Sequence, residues 1–178
     1  DPRILIDANS IAQGYSVDVI AKLLRDNGCK NYMIEIGGEV ACKGLNANGE
    51  KWRIGIDKAV DDSTSMNNEL QTILSITDCA VTTAGDYRKF YIKDGKKYSH
   101  IINPHTGYPA NSNLLSVTIV APTAIMADAY DTPFMVLGVD SCLKVCKSIP
   151  GMECYLIYVD KNGKNQIPSC LQPKETFK

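Results

Sequence analysis

A series of short, strand-like runs between residues 32 and 121 constrains the fold of this chain more than any other feature. The runs are rich in β-branched and aromatic residues, and turns containing glycine, asparagine or aspartate separate them. Such spacing is typical of antiparallel strands. Segments with helical apolar spacing lie on either side, at 11–28 and 123–138. The pattern predicts an α+β fold with helices packed on a largely antiparallel mixed sheet. The length of 178 residues suits one domain or two small lobes, and we assign a single domain over residues 1–178.

The first segments predict a strand that leads into a helix. "ILID" at 4–7 has strand character, and Asn9 or Ser10 is suited to cap the following helix. Gly28 predicts the end of this helix. Its apolar stripe is formed by Ile11, Tyr15, Val19 and Leu23.

Glycines punctuate the next strands. Gly37 and Gly38 divide the run at 32–44 into two pieces, with a bulge or a close backbone approach between them. "NANG" at 46–49 predicts a hairpin turn, and "WRIGID" at 52–57 predicts the strand that returns from it.

Two helices are predicted near the C-terminal end. The first covers 123–138, with Thr123 as its candidate N-cap and Pro133 as a source of a kink or a tighter path. The next helix carries Cys142 and Cys146 four residues apart, where we expect buried thiols rather than a disulfide.

Charge and cysteine pattern exclude several classes of protein. A formal net charge of -1 disfavours nucleic-acid binding and a polybasic membrane contact. No apolar run approaches the roughly 18–20 residues that a membrane span needs. The seven cysteines include no C-x-x-C pair, so a zinc ribbon or a thioredoxin-type site is not expected. Their odd number also argues against a complete disulfide framework.

Oxygen-bearing side chains on the helix at 123–138 suggest a metal site. Asp128 and Thr132 are four residues apart and therefore share a helix face, with Asp131 beside them. Mg²⁺ prefers carboxylate and other oxygen ligands, together with water and substrate phosphates. A solvated acidic helix face is the alternative interpretation.

Glycine-containing turns are candidate ligand contacts. Gly37, Gly38 and the turn "TTAGDY" at 82–87 can bring backbone N–H groups close to a ligand. The helix start at Asn9 and Ser10 offers backbone groups to an anion or a metal. Ordinary turn geometry and ordinary capping remain the alternatives.

Both histidines of the chain lie in the segment "SHIINPHTGYP" at 99–109. The imidazole of His100 is suited to accept a proton from an attacking hydroxyl, although a structural role is the alternative. His105 lies within the turn between Pro104 and Pro109, where a structural or solvent-facing role is expected.

Six segments in this order resemble the ApbE family, the FAD:protein FMN transferases. They are "DANSIAQGYSVD", "YMIEIGGEV", "WRIGI", "TTAGDY", "SHIINPHTGYP" and "ADAYDT". The resemblance implies that FAD is the substrate and Mg²⁺ the cofactor. It further implies that FMN is attached through a phosphoester to a threonine or serine of a target redox protein, with release of AMP.

The resemblance also implies roles for individual residues. Asp128 and Thr132 would bind the metal, with backbone oxygens near Ser10 and at Asp131, and His100 would deprotonate the acceptor hydroxyl. The flavin and phosphate pocket would be lined or shaped by Gly37, Gly38, Glu39, Thr83, Gly85, Asp86, Thr106 and Gly107, next to His100.

Four positions depart from the commoner family pattern. Gln13 stands where lysine is usual, Ala84 replaces serine, Asn103 replaces aspartate, and Asp131 replaces a small residue. Loss of a cation near the diphosphate weakens FAD binding, whereas a second carboxylate beside Asp128 strengthens metal binding. The two effects have opposite signs.

The resemblance implies export, with the enzyme held on the periplasmic side as a lipoprotein whose anchor is missing from this chain. It also leads us to expect that the chain lacks an N-terminal portion. Three alternatives stay open: an FAD pyrophosphatase that gives FMN and AMP, a flavin-binding module without turnover, and an incomplete domain that is inactive alone.

Overall fold

The computed structural model describes residues 1–58, 70–85, 90–93, 96–110 and 112–170. Its helices are α1 (Ala12–Asp26), α2 (Ala124–Leu137) and α3 (Val139–Ser148). Its strands are β1 (Tyr32–Ile36), β2 (Glu39–Lys43), β3 (Trp52–Asp57), β4 (Leu70–Ile76), β5 (Cys79–Gly85), β6 (Phe90–Lys93), β7 (Lys96–Ser99), β8 (Leu114–Ala121), β9 (Glu153–Val159) and β10 (Asn165–Gln166). Within the described ranges, no helix combines the length and apolar character needed to cross a membrane.

A six-stranded sheet in the order β1-β2-β5-β8-β9-β10 forms the centre of the molecule. Every neighbouring pair in it is antiparallel. The β3–β4 and β6–β7 pairs form separate two-stranded sheets. The predicted α+β fold with a largely antiparallel sheet is therefore confirmed.

Two hydrophobic clusters cover the two faces of this sheet. On one face, side chains of α2 and α3 pack on β8 and β9, with Phe134, Leu114 and Leu156 fully buried. Cys142 and Cys146 are buried in the same cluster, as predicted. On the other face, the β3–β4 pair packs against the sheet through Ile56, Leu74 and Ile76. Alternation of side chains along each central strand supplies both clusters.

The Gly37–Gly38 step forms a hairpin turn, not the bulge that the sequence suggested. Ile36 pairs with Glu39, so the two glycines are the only residues of the loop. Their φ angles of 68° and 110° lie in the left-handed region. Two-residue hairpin loops favour glycine because a loop of this length demands such angles.

The strand β3 does not return to β2 as predicted. Both edges of β2 are already paired, with β1 on one side and β5 on the other. β3 instead pairs with β4, beginning at Trp52 opposite Ile76. The indole N–H of Trp52 donates a hydrogen bond to the Lys43 carbonyl at 3.1 Å, which ties this pair to the end of β2.

The predicted strand at 4–7 is wrong. Ile4, Leu5 and Ile6 are 68%, 92% and 94% exposed, and this segment lies in no strand of the described residues. A strand needs a neighbouring strand to satisfy its backbone groups, so apolar composition alone does not produce one.

Helix α1 buries a different face from the one predicted. Gly14, Val17 and Ala21 are buried, whereas Ile11, Tyr15, Val19 and Leu23 are 41–59% exposed. The helix ends as predicted: Gly28 has φ +81°, and the N–H of Cys29 donates to the Leu24 carbonyl in a Schellman arrangement.

Helices α1 and α2 cap each other. The Asp18 carboxylate accepts hydrogen bonds from the N–H groups of Ala124 at 3.0 Å and Ile125 at 2.9 Å. In return, Asp128 accepts one from the N–H of Gly14 at 2.8 Å. The predicted caps Asn9 and Ser10 do not cap α1 with their side chains, and the N-cap position is occupied by Ile11. A carboxylate stabilises the start of a helix because it accepts hydrogen bonds from the unpaired N–H groups there and interacts favourably with the helix dipole.

The start of α2 follows the prediction. The Thr123 hydroxyl accepts a hydrogen bond from the N–H of Met126 at 3.4 Å, and Pro133 lies inside the helix.

Candidate functional site

A cavity of about 1360 Å³ gathers most of the residues that the sequence pointed to. It lies where the start of α1, the Gly37–Gly38 turn, β3, the end of β5, the segment 100–104 and α2 meet. The predicted site residues in its lining are Ser10, Gly37, Gly38, Glu39, Thr83, Gly85, His100, Asp128, Asp131 and Thr132.

Asp128 is held in the cavity wall by the contact between α1 and α2. Its carboxylate is 3% exposed and accepts the Gly14 N–H. Gly14 is needed for this approach, because a Cβ there would lie 2.4 Å from the Ala124 carbonyl oxygen and 2.7 Å from the Asp128 Cβ. Burial raises the pKa of Asp128, and the hydrogen bond from Gly14 opposes that rise.

Asp131 lies one helical turn further along α2 and is also 3% exposed. Burial raises its pKa to about 7, the Thr82 side chain opposes the rise, and the charge of Asp128 adds to it. The Thr132 hydroxyl donates a hydrogen bond to the Asp131 carboxylate at 3.1 Å. Two buried carboxylates are therefore held close together beside a hydroxyl.

This donor set fits Mg²⁺. Two neighbouring carboxylates that resist ionisation are stabilised by a divalent cation, and magnesium prefers such hard oxygen ligands. Ser10 lies in the same lining and adds further oxygen atoms. The arrangement can hold a metal ion against a phosphate-bearing molecule in the cavity.

The glycine turn forms a second wall of the cavity. A Cβ at Gly37 would lie 2.0 Å from the Gln13 side-chain nitrogen, so Gln13 packs directly against this turn. Glu39, 8% exposed, follows the turn on β2. On β5, Thr83 makes a hydroxyl–hydroxyl hydrogen bond with Thr118 at 2.9 Å. Gly37, Glu39 and Thr83 thus form a polar wall in the same cavity as the carboxylates.

His100 lines the cavity and is exposed, so an incoming molecule can reach it. The following residues form a closed turn in which the N–H of Asn103 donates to the Tyr108 carbonyl at 2.9 Å. Thr106 and Gly107 lie at the exposed tip of this turn, beyond the part that lines the cavity. His105 is exposed on the same turn. Asp86 lies outside the described residues.

Sequence reasoning missed the contribution of β3. Arg53, Gly55 and Asp57 lie in the cavity lining, and Glu35 of β1 joins them. The intervening Ile54 and Ile56 also belong to the lining, so it follows the continuous stretch 53–57 of β3 and not one face of the strand.

Comparisons with known proteins give a consistent result. The model of the ApbE family matches residues 1–156. A relative named FAD:protein FMN transferase from Vibrio cholerae is 38% identical over 172 residues, which are 97% of this chain and 50% of the relative. One of the same name from Salmonella typhimurium is 37% identical over 162 residues, 91% of this chain and 45% of the relative.

Solved structures agree with these relatives. Flavin transferase ApbE from Vibrio cholerae superposes with a TM-score of 0.79 and 36% identity, over 94% of this chain and 51% of that chain. The ApbE protein of Thermotoga maritima superposes with a TM-score of 0.73 and 30% identity, over 90% of this chain and 50% of that chain. The chain spans about half the length of the curated relatives it matches.

Proposed function

The chain belongs to the ApbE family, and from that premise we propose that this protein is a Mg²⁺-dependent FAD:protein FMN transferase. It cleaves FAD and attaches FMN to a threonine or serine of a target redox protein. The observation that carries the proposal is the buried pair Asp128 and Asp131 in the same cavity as His100. Metal-assisted phosphoryl transfer needs both a site for Mg²⁺ and an acceptor for the nucleophile's proton.

Mg²⁺ would be held by Asp128, Asp131 and Thr132, with a backbone oxygen near Ser10. When bound, it neutralises charge on the oxygens of the FAD pyrophosphate. In this proposal Asp131 contributes its carboxylate, because that side chain is buried beside Asp128 and accepts a hydrogen bond from the Thr132 hydroxyl.

FAD would lie against the polar wall formed by Gly37, Gly38, Glu39, Thr83 and Gly85. The absence of side chains at the glycines lets a phosphate or flavin ring approach the backbone closely. Gln13, packed on Gly37, offers an amide rather than a positive charge to the diphosphate. Binding therefore relies on hydrogen bonds and the metal site more than on a cation at this position.

In the proposed reaction the acceptor hydroxyl oxygen attacks the phosphorus of the FMN half of FAD. A new phosphoester bond forms, the bond from that phosphorus to the bridging oxygen breaks, and AMP leaves with the bridging oxygen. His100 takes the hydroxyl proton. Positioning and charge stabilisation supply most of the rate, and the base adds about 10²–10⁴-fold.

The location of the protein forms part of the proposal. As implied by the family resemblance, it acts outside the cytoplasm as a lipoprotein on a redox partner. Spheroplast fractionation of the native host, with detection of the protein in the membrane or cytosolic fraction, tests this. Recovery only from the cytosol contradicts it.

A second candidate function is FAD pyrophosphatase activity, in which water replaces the acceptor hydroxyl. The exposure of His100 favours this activity, because water reaches an exposed imidazole as readily as a peptide does. The products would be FMN and AMP.

One experiment separates these functions. The chain is incubated with FAD and a threonine-bearing acceptor peptide, with and without Mg²⁺, and AMP is measured by chromatography. Flavin fluorescence of the peptide is then measured after denaturation. AMP release that needs Mg²⁺ and equals peptide labelling supports the transferase, whereas AMP without labelling supports the pyrophosphatase. Bound FAD with no AMP contradicts both activities for this chain and indicates a flavin-binding module or an incomplete domain.

A further inference from the structure

Three cysteines from three different segments of the chain meet outside the cavity described above. Cys146 comes from α3, Cys154 from β9, and Cys170 from the segment after β10. The Cys170 sulfur lies 2.9 Å from that of Cys146 and 3.1 Å from that of Cys154. All three sulfurs lie within 4.8 Å of one another.

Backbone pairing holds these side chains in place. The N–H of Cys170 donates to the Cys154 carbonyl at 3.0 Å, and the N–H of Leu156 donates to the Pro168 carbonyl at 3.1 Å. The last described residues therefore run antiparallel along β9. Cys146 is fixed from the other side because α3 packs against β9 within the main core. The three sulfurs therefore meet because β9, the segment after β10 and α3 pack against one another.

We propose that Cys146, Cys154 and Cys170 form a three-thiolate site for a thiophilic divalent cation of the Zn²⁺ class. Thiolates select soft or borderline metals, and zinc is often bound by cysteines. Cys146 and Cys154 are fully buried, where an uncompensated thiolate charge is costly. A divalent cation offsets two such charges, whereas a monovalent cation offsets only one.

The local geometry suits such an ion. Two sulfurs bound to one tetrahedral Zn²⁺ at about 2.3 Å lie about 3.8 Å apart, so the close pairs need to separate by less than about 1 Å. The N–H of Cys154 already donates a hydrogen bond to the Cys170 sulfur at 3.0 Å. Outer hydrogen bonds of this kind orient metal ligands. Cys170 is half-buried, which leaves a path for a water molecule as the fourth ligand.

Sequence spacing gave no sign of this site. The three cysteines form no C-x-x-C pair, and the usual zinc patterns depend on such local pairs. Here the pairing of the segment after β10 with β9 brings the ligands together. The proposed site is independent of the proposed transferase activity.

Cadmium titration of the reduced chain tests the proposal, in excess Mg²⁺ to occupy oxygen sites. The sulfur-to-cadmium charge-transfer band should rise to a sharp break at one equivalent. Cys170→Ser should weaken cadmium binding by more than about 100-fold, since even outer-shell changes cost 10–100-fold. Cys142→Ser, a buried cysteine of α3 outside the cluster, and Cys29→Ser, an exposed one, should keep the break. A break that survives in Cys170→Ser overturns the proposal.

A second measurement uses the unaltered protein and so does not depend on a variant folding. The reduced chain is alkylated with and without Zn²⁺, and labelled cysteines are identified by peptide mass. We expect Zn²⁺ to protect the half-buried Cys170, while the exposed Cys29 reacts equally in both samples. Equal labelling of Cys170, or a disulfide within the cluster that persists with Zn²⁺ present, overturns the proposal.

Discussion

His100 and His105 lie on one segment but in different surroundings, which makes them a matched pair. His100 lines the cavity, whereas His105 is exposed on the turn. We expect His100→Ala to lower FMN transfer about 10²–10⁴-fold, because it removes the proposed base, while FAD binding stays largely unchanged. His105→Ala should behave like the parent. AMP release and FAD fluorescence measure the two quantities, and equal rates for His100→Ala and the parent refute the assignment.

Asp131 should destabilise the metal-free protein at high pH. Its pKa is about 7 in the folded chain and 3.8 without burial, so the folded state favours the protonated form. This contribution to stability is fully present below pH 3.8 and is lost as the pH rises through 7. Without Mg²⁺, Asp131→Asn should therefore stabilise the chain more at pH 8 than at pH 5, by on the order of a few kcal/mol.

Urea unfolding at the two pH values measures this difference. Asp140→Asn, exposed on α3, is the control and should follow the parent at both. If Asp131→Asn changes the unfolding free energy equally at pH 5 and pH 8, the carboxylate is already ionised at both.

The site residues could be predicted from sequence only in part. The spacing of Asp128, Asp131 and Thr132 fixes a shared helix face, because helix geometry is local. The bond between Asp128 and Gly14 joins residues 114 positions apart, and nothing in local spacing predicts it. The same applies to the three thiols that meet at Cys170.

At the scale of elements, strands were easier to predict than their partners. The runs that became β4, β5 and β8 are rich in β-branched residues, and β9 combines two of them with two tyrosines, which is a local signal. The partner of β3 was mispredicted because pairing depends on which strand edges remain open. The buried face of α1 was mispredicted because an apolar stripe marks a core face only when another element covers it.

Two valines of α1 test the corrected face of this helix with identical chemistry. Val17 is fully buried against Ala41, Ala80 and Ala124, whereas Val19 is 45% exposed. We expect Val17→Ala to lower the free energy of unfolding by about 1.5–3 kcal/mol and Val19→Ala by less than about 1 kcal/mol. Urea unfolding of both variants measures this, and a larger loss for Val19→Ala contradicts the helix orientation.

Gly14 tests the contact between α1 and α2. Gly14→Ala places a methyl group 2.4 Å from the Ala124 carbonyl oxygen, so the helices must separate. We expect a loss of about 1–3 kcal/mol in stability, despite the better helix propensity of alanine. The separation also moves Asp128, so the response to Mg²⁺ should weaken. Lys22→Ala on the exposed face is the control, and a stabilised Gly14→Ala variant would contradict the close packing.

At the scale of the whole molecule, the carboxylate cavity and the thiol cluster lie in different regions of the same sheet. The cavity takes its residues from the start of α1, α2, strands β1, β2, β3 and β5, and the segment 100–104, while the cluster joins α3 and β9 to the last described residues. Because ligand binding to a folded state raises stability by mass action, each site should stabilise the chain separately.

Mg²⁺ should therefore raise the thermal midpoint through Asp128 and Asp131. At 100 times its dissociation constant, a ligand adds about 2.7 kcal/mol. For a chain of this size, 1 kcal/mol corresponds to about 2–4 °C, so the expected rise is about 5–10 °C. Calorimetry with MgCl₂, against NaCl of equal ionic strength, measures this rise.

Of two matched variants, Asp131→Asn should lose most of the rise and Asp140→Asn should retain it, because only Asp131 of the two lies in the cavity. A rise of the same size in Asp131→Asn would mean that Mg²⁺ binds elsewhere on the chain, and the carboxylate pair would then lose its proposed role.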